Sequence, residues 1–228
     1  MRGIEASLHV WSEVRSGKFA SESIRRIAGL LTPGDLTLAS SLVYLSLRRQ
    51  FLWKEISGAF LKTSPRGLSR AAEDALCIGA AGILELRTFA PRVLVNGLVQ
   101  ELKKAGDEKG SRVVNAVLRR VAEEGPARMK KIKESGGLKE QALYFGVPSW
   151  VASEWRNAWG DDGKNLLKMM LIRPYSSFRA APGAEIQKIT ASAGEKGIRC
   201  WQSPFPTSSL RLPGTVYPPD FPGYSEGI

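Results

Sequence analysis

Apolar positions recur at helical spacing through the first 120 residues, and strand-like alternation appears only near the end of the chain. Over 4–16, Ile4, Leu8, Trp11 and Val14 or Arg15 share one side, and Gly17 breaks the pattern. Phe19 to Leu31 predicts a second helix with Ile24, Ile27, Ala28 and Leu31 inward and Arg25 and Arg26 outward. Thr32-Pro33-Gly34-Asp35 is a helix start: Thr can cap, Pro suits the first helical position, and Asp completes a capping box. That helix runs through Leu36, Ala39, Val43 and Leu47 to Arg48-Arg49. A fourth segment, Leu52 to Leu61, stops before Ser64-Pro65-Arg66-Gly67. Residues 68–88 read as the most buried helix, and their Ala and Gly would let a neighbouring helix approach closely. Pro91 opens a helix through Val95, Leu98, Val99 and Leu102 that ends at Lys103-Lys104-Ala105-Gly106. In the next, Val113, Val114, Val117, Leu118 and Val121 gather on one face and Arg112, Asn115, Arg119 and Glu123 on the other, at about 100° per residue. Gly125-Pro126 is expected to end it.

Six or seven helices joined by short links predict an all-α bundle over 1–125. Residues 126–145 are basic and polar, with Arg128, Lys130, Lys131, Lys133 and Lys139, and read as a linker or an exposed helix. From 146 the vocabulary changes. Trp150, Trp155 and Trp159 fall within ten positions, Trp155 and Trp159 at helical i,i+4 spacing. Ser177 to Ala180, Ile198 to Trp201 and Ser209 to Leu212 predict short strands, with a helix from about Gly183 to Glu195. Prolines and glycines from Pro213 onward indicate extended loop. Residues 146–228 thus form a small α+β domain, and the fold class is mostly α.

Charge narrows the partners. The 228 residues carry a formal net charge of +11, unevenly spread. Residues 1–140 hold 24 Lys/Arg against 15 Asp/Glu, a net of +9, and 141–228 hold 9 against 7. Such an excess favours a polyanion, nucleic acid above membrane. No secretory signal or membrane-spanning run is found, so a cytoplasmic location is expected. Cys77 and Cys200 are far apart and His9 is the single histidine, which leaves zinc sites, disulfide frameworks and Cys/His hydrolases without support.

Arg112-Val113-Val114-Asn115-Ala116-Val117-Leu118-Arg119-Arg120 resembles the last core helix of the NusB-like RNA-binding domain. That domain occurs in NusB antitermination factors and at the front of rRNA cytosine-5 methyltransferases of the RsmB (Sun) type. Ala6 to Ala20, Asp35 to Tyr44 and Leu94 to Gln100 are similar to earlier helices of the same domain. Gly146-Val147-Pro148-Ser149-Trp150-Val151, Trp155 and Trp159-Gly160 resemble the methyltransferase family beyond its bundle. So do Leu171-Ile172-Arg173-Pro174, Phe178-Arg179, Gly194 to Ile198, Leu210 to Leu212 and Phe221 to Gly227. One departure is Arg179-Ala180-Ala181, where the family commonly has Arg-x-Asn.

The resemblance implies the RNA-recruiting N-terminal region of an S-adenosylmethionine-dependent rRNA methyltransferase. The cofactor domain and its two cysteines would follow Gly227, so this chain alone is expected to lack them and to be inactive. The alternative is a stand-alone, non-catalytic NusB-like protein that binds RNA with a ribosomal or transcription partner. A monomer is expected, with rRNA, and a separate catalytic domain or protein, as partners.

The candidate RNA-binding residues are Arg112, Arg119, Arg120, Arg25, Arg26, Lys103, Lys104 and, in the second domain, Arg179; Arg48 and Arg49 extend the set. Singly, each cation is explained by a place near a helix C-terminus, where it meets the macrodipole. As a set on one basic bundle, they agree with an RNA role. Asn115 suits a structural hydrogen bond, and Trp150 and Trp159 suit either core packing or base stacking. No catalytic, cofactor-binding or metal-binding residues are expected. Ala180-Ala181-Pro182-Gly183-Ala184 superficially resembles a cofactor loop, but no apolar strand precedes it, and Pro-Gly opening a helix is the better reading.

Overall fold

The computed structural model describes residues 2–61, 67–86, 90–172, 175–204, 208–213 and 218–224. They form two compact units, 1–171 and 172–228. The chain is mostly α, a helical bundle followed by a small α+β unit.

In the first unit the helices are α1 (Arg2–Arg15), α2 (Ala20–Ile27), α3 (Pro33–Arg48), α4 (Gln50–Gly58), α5 (Arg70–Glu85) and α6 (Pro91–Lys104). They continue as α7 (Glu108–Glu134), α8 (Leu138–Phe145), α9 (Ser149–Trp159) and α10 (Asp162–Met169). The centre is α5, which packs on α1, α3, α4, α6 and α7. Its small residues are what admit so many neighbours. A side chain at Gly79 would collide with Leu118 of α7, and one at Gly82 with Leu94 of α6. Around α5 the core collects Trp11, Leu42, Trp53, Ile56, Ile78, Leu98, Val114, Val117 and Leu118, each under 4 % exposed.

Helix starts follow the sequence signals. Thr32 Oγ1 accepts from the Asp35 amide at 3.2 Å and donates to the Asp35 carboxylate, with Pro33 at the first position. Ser69 caps α5 by accepting from the Ala72 amide at 3.0 Å. The same hydroxyl donates to the carboxylate of Asp107, which in turn caps α7 by accepting from the Gly110 amide at 2.8 Å. On the opposite side of α5, Asp74 is held by the Trp11 indole N–H at 2.9 Å and by the Arg15 guanidinium.

Three features depart from the sequence reading. First, α7 does not end at Gly125-Pro126 but runs through Pro126 to Glu134. Proline removes one backbone donor there, yet Met129 and Ile132 beyond it pack on the main core, and Gly125 lies against Leu84. Second, 138–146, read as part of a linker or an exposed helix, forms a helix that docks on the bundle. Gly146, at φ 73°, caps α8 so close to Arg48 and Arg49 that a side chain would strike the Arg48 carbonyl. Third, the packing division falls at 171/172, whereas composition shifts at 126 and 146. α8, α9 and α10 share a small core of Ala142, Val147, Ala152 and Leu167 and belong with the first unit.

The second unit holds β1 (Ser176–Arg179), α11 (Ile186–Glu195), β2 (Trp201–Gln202) and β3 (Ser209–Leu212). The strands form an antiparallel sheet in the order β1-β3-β2, with Phe178 opposite Leu210, Arg179 opposite Ser209 and Trp201 opposite Arg211. β2 is shorter than the predicted Ile198–Trp201 strand and starts where that one ends. Leu210, Leu212 and Phe178 face α11 and Phe221, whose ring stacks on Phe178 at 4.4 Å. The predicted loop 64–66, Arg173-Pro174 and 225–227 lie outside the described residues.

Candidate nucleic-acid interface

Of the predicted cations, five are brought onto one hairpin. α6 and α7 pack along each other and are joined by the turn at 105–107. Lys103 and Lys104 therefore sit at the same end as Arg112 and Lys109 of α7, and all four are exposed. Arg119 lies seven residues beyond Arg112, about 10 Å further along the axis and within about 20° around it. Arg120 follows on the flank. The valine and leucine face behind them is buried, with Val114, Val117, Leu118 and Val121 at 3 % exposure or less. The burial of one face thus aims the other at solvent. Its acids are Glu108, Glu123 and, on the Arg120 flank, Glu124.

These cations differ in how far they are already engaged. The side chains of Arg119, Lys103 and Lys109 make no hydrogen bond or ion pair among the described residues. Arg112 donates only to the Glu108 carbonyl of its own helix, at 3.3 Å. Arg120 is more committed: it pairs with Glu124 at 2.9 Å and its guanidinium covers the Phe60 ring at 4.7 Å. Lys104 pairs with Glu101, and that hydrogen bond holds its ammonium above the usual lysine range.

Arg25 and Arg26 lie elsewhere, on α2, which packs against α1 and α3. Arg25 is exposed and without an ion pair among the described residues. Arg26 is paired with Glu13 at 2.7 Å. Hydrogen bonds from Lys18 and then Ser23, with the charge of Arg26, pull the Glu13 carboxyl down to about 2. Arg48 is exposed, but Arg49 is not a surface cation at all. It is buried, ion-paired to Glu85, and donates through Nε to the Tyr144 carbonyl at 2.8 Å. Its guanidinium lies over the rings of Trp53 (5.0 Å) and Tyr144 (4.4 Å), so it fixes α8 to the bundle. The Asn115 side chain makes no hydrogen bond among the described residues. Trp155 packs against the small core around Ala152, whereas Trp150 and Trp159 are exposed.

In the second unit Arg179 is exposed on the sheet face away from α11. Antiparallel register puts Ser177, Ser209, Arg211 and Trp201 on that same face. Tyr175, the residue before β1, meets Trp201 edge to face with ring centroids 5.1 Å apart. Sequence reasoning singled out Arg179 and missed its companions. The period-2 alternation of Ser209–Leu212 was the available signal.

The loop at 180–184 does not fit a nucleotide cofactor. It joins an antiparallel edge strand to α11, which begins only at Ile186, and the carboxylate-bearing Glu185 occupies the cap position. A phosphate-cradling loop needs a buried strand and a helix N-terminus open to an anion. Burial pushes the Cys77 thiol up to about 12 and raises Cys200 as well, which disfavours the reactive thiolate at both. Among the described residues no group of His, Cys, Asp or Glu could hold a metal, and no helix is long and apolar enough to cross a membrane.

The model of the NusB family matches residues 8–123. Over 221 residues, 96% of the chain and 47% of the relative, the sequence is 24% identical to ribosomal RNA small subunit methyltransferase B of Xanthomonas campestris pv. campestris. A solved structure described as the crystal structure of PH0851 superposes with a TM-score of 0.64 at 15% identity, covering 99% of this chain and 51% of that one. The chain spans about half the length of each.

Proposed function

We propose a function on the premise that the chain belongs to the NusB family: it binds RNA, and it serves as the rRNA-recruiting region of a small-subunit rRNA cytosine-5 methyltransferase. The observation that carries the methyltransferase setting is that the similarity to methyltransferase B runs through 96% of the chain, past residue 123 and across both units. A bundle alone would fit a stand-alone RNA-binding protein, and residues 149–224 favour the larger setting. The RNA surface in this reading is the outer face of α7 with the end of α6, where Arg112, Arg119, Arg120, Lys103 and Lys104 stand on a rigid hairpin. Phosphates are the contacts these side chains suit, because most protein–nucleic-acid hydrogen bonds go to phosphate and sugar, with Arg and Lys among the donors. Arg25 and Arg26 on α2 are a separate basic patch, and Arg179 belongs to the sheet.

Methyl transfer is assigned to residues beyond these units. S-adenosylmethionine has no fitting loop at 180–184, and Cys77 and Cys200 are packing residues. Calorimetry of the chain with S-adenosylmethionine is expected to show no binding; micromolar affinity would overturn this assignment.

Filter binding to a small-subunit rRNA transcript tests the main reading. Each phosphate neutralised contributes a slope of about −0.9 in log K against log salt for a duplex and about −0.7 for a single strand. Three or more contacts on α7 therefore predict a slope steeper than about −2. A flat profile removes the RNA reading. Equal affinity for a non-ribosomal transcript of the same length removes the rRNA preference and leaves only general RNA binding.

A further inference from the structure

We infer that the outer face of the β1-β3-β2 sheet is a stacking platform for single-stranded RNA, with Trp201 and Tyr175 receiving bases and Arg179 and Arg211 the flanking phosphates. The inference rests on the RNA-binding reading above but on none of the residues of α6 and α7.

The sheet has two unlike faces. One is closed: Leu210 and Leu212 are fully buried against α11 and Phe221. The other has no helix over it among the residues of its own unit. It carries Ser177, Arg179, Trp201, Ser209 and Arg211 by register. β1 and β2 flank β3, so their axes stand about 10 Å apart. The Tyr175 and Trp201 rings nonetheless meet at 5.1 Å and 82°. They reach toward each other over the central strand and form one aromatic ridge. Both stay open, Tyr175 at 50 % and Trp201 at 38 % exposure. The exposed pair presents π-faces on which unpaired bases can stack.

Charge selects that partner. Arg179 is exposed, and neither Arg179 nor Arg211 has an ion pair among the described residues. The described acids of this unit are Glu185, Glu195 and Asp220, and none of them is on a strand. Glu185, moreover, is paired with Lys188. The face therefore combines rings with uncompensated guanidinium groups and no carboxylate. Flat rings beside cations on a sheet match unpaired bases joined by phosphates, since stacking accepts any base and guanidinium groups hold the backbone. A duplex keeps its bases inside the stack and offers the rings nothing.

The test uses the full chain and a short fluorescein-labelled oligouridylate, read by anisotropy at low salt. Trp201→Ala and Tyr175→Ala are each expected to weaken binding by about 5-fold or more, the range that loss of one base–aromatic stack gives. Trp201→Phe should keep most of the affinity. Trp159→Ala, which removes an exposed ring on α9, should leave it unchanged. Ultraviolet cross-linking of the unaltered chain, with mass spectrometric mapping, is expected to mark the peptides holding Tyr175 or Trp201, and needs no variant to fold. Cross-links confined to Trp150 or Trp159, or wild-type affinity in Trp201→Ala, overturn the platform. If Trp201→Ala binds normally while charge reversal on α7 abolishes rRNA binding, the sheet proposal falls and the helical one stands. Absence of any oligouridylate binding also overturns the platform.

Discussion

Val117→Asp is expected to unfold the first unit. Val117 is 3 % exposed on the inner face of α7, in the core that α7 shares with α4, α5 and α6. An aspartate there loses the valine's packing and places a carboxylate among apolar side chains. It must stay charged without a partner or take up a proton. Either route costs several kcal/mol, about 4 or more once the lost packing is added. That is a large share of the 5–15 kcal/mol by which domains are typically stable. Circular dichroism melts and urea titration would read the loss, and RNA binding should vanish with the fold. A cooperative melt near the wild-type temperature would mean that α7 does not pack by its valine face.

The second large effect should leave the fold alone. Arg112→Glu with Arg119→Glu reverses two exposed charges, one bonded only to its own helix and the other to nothing among the described residues. Losing two phosphate contacts should flatten the salt slope by about 1.5 and weaken rRNA binding at physiological salt by about tenfold or more. The melting temperature should move by little, because both side chains are exposed. Arg120 is better left out of this variant. It shields Phe60 and pairs with Glu124, so removing it would mix packing with charge. Unchanged affinity in the folded double variant would shift the RNA surface from the Arg112–Arg119 face to Arg25 and the 128–139 stretch, where Lys131 and Lys139 are exposed.

Much of the bundle was legible because its signals are local. Thr32, Pro33 and Asp35 specify the start of α3 through bonds within one turn, and the small residues of α5 announce close neighbours that prove to be Leu118 and Leu94. What could not be read depends on distant partners. Pro126 is a stop signal by itself, but Met129 and Ile132 find the core and keep the helix going. Arg49 has the same sequence setting as Arg48, and only the approach of Glu85 and Tyr144, 36 and 95 residues away, makes it a buried fastener. Exposure of Trp150 and Trp159 likewise depends on which side of α9 meets α8 and α10. The candidate cations of α7 were found by helical period. The sheet face was found only in part, since recognising Trp201 beside Arg211 requires the register and not the pattern of either strand.

One carboxylate couples distant parts of the chain. Asp107 receives the Gly110 amide and the Ser69 hydroxyl, and Ser69 in turn receives the Ala72 amide. The first turns of α5 and α7, 38 residues apart in sequence, are thereby strung on a single relay. Fraying at one end withdraws the partner that orients the other, so the two starts open as one event. For native-state hydrogen exchange this means that the Ala72 and Gly110 amides belong to one cooperative unit, although no helix contains them both.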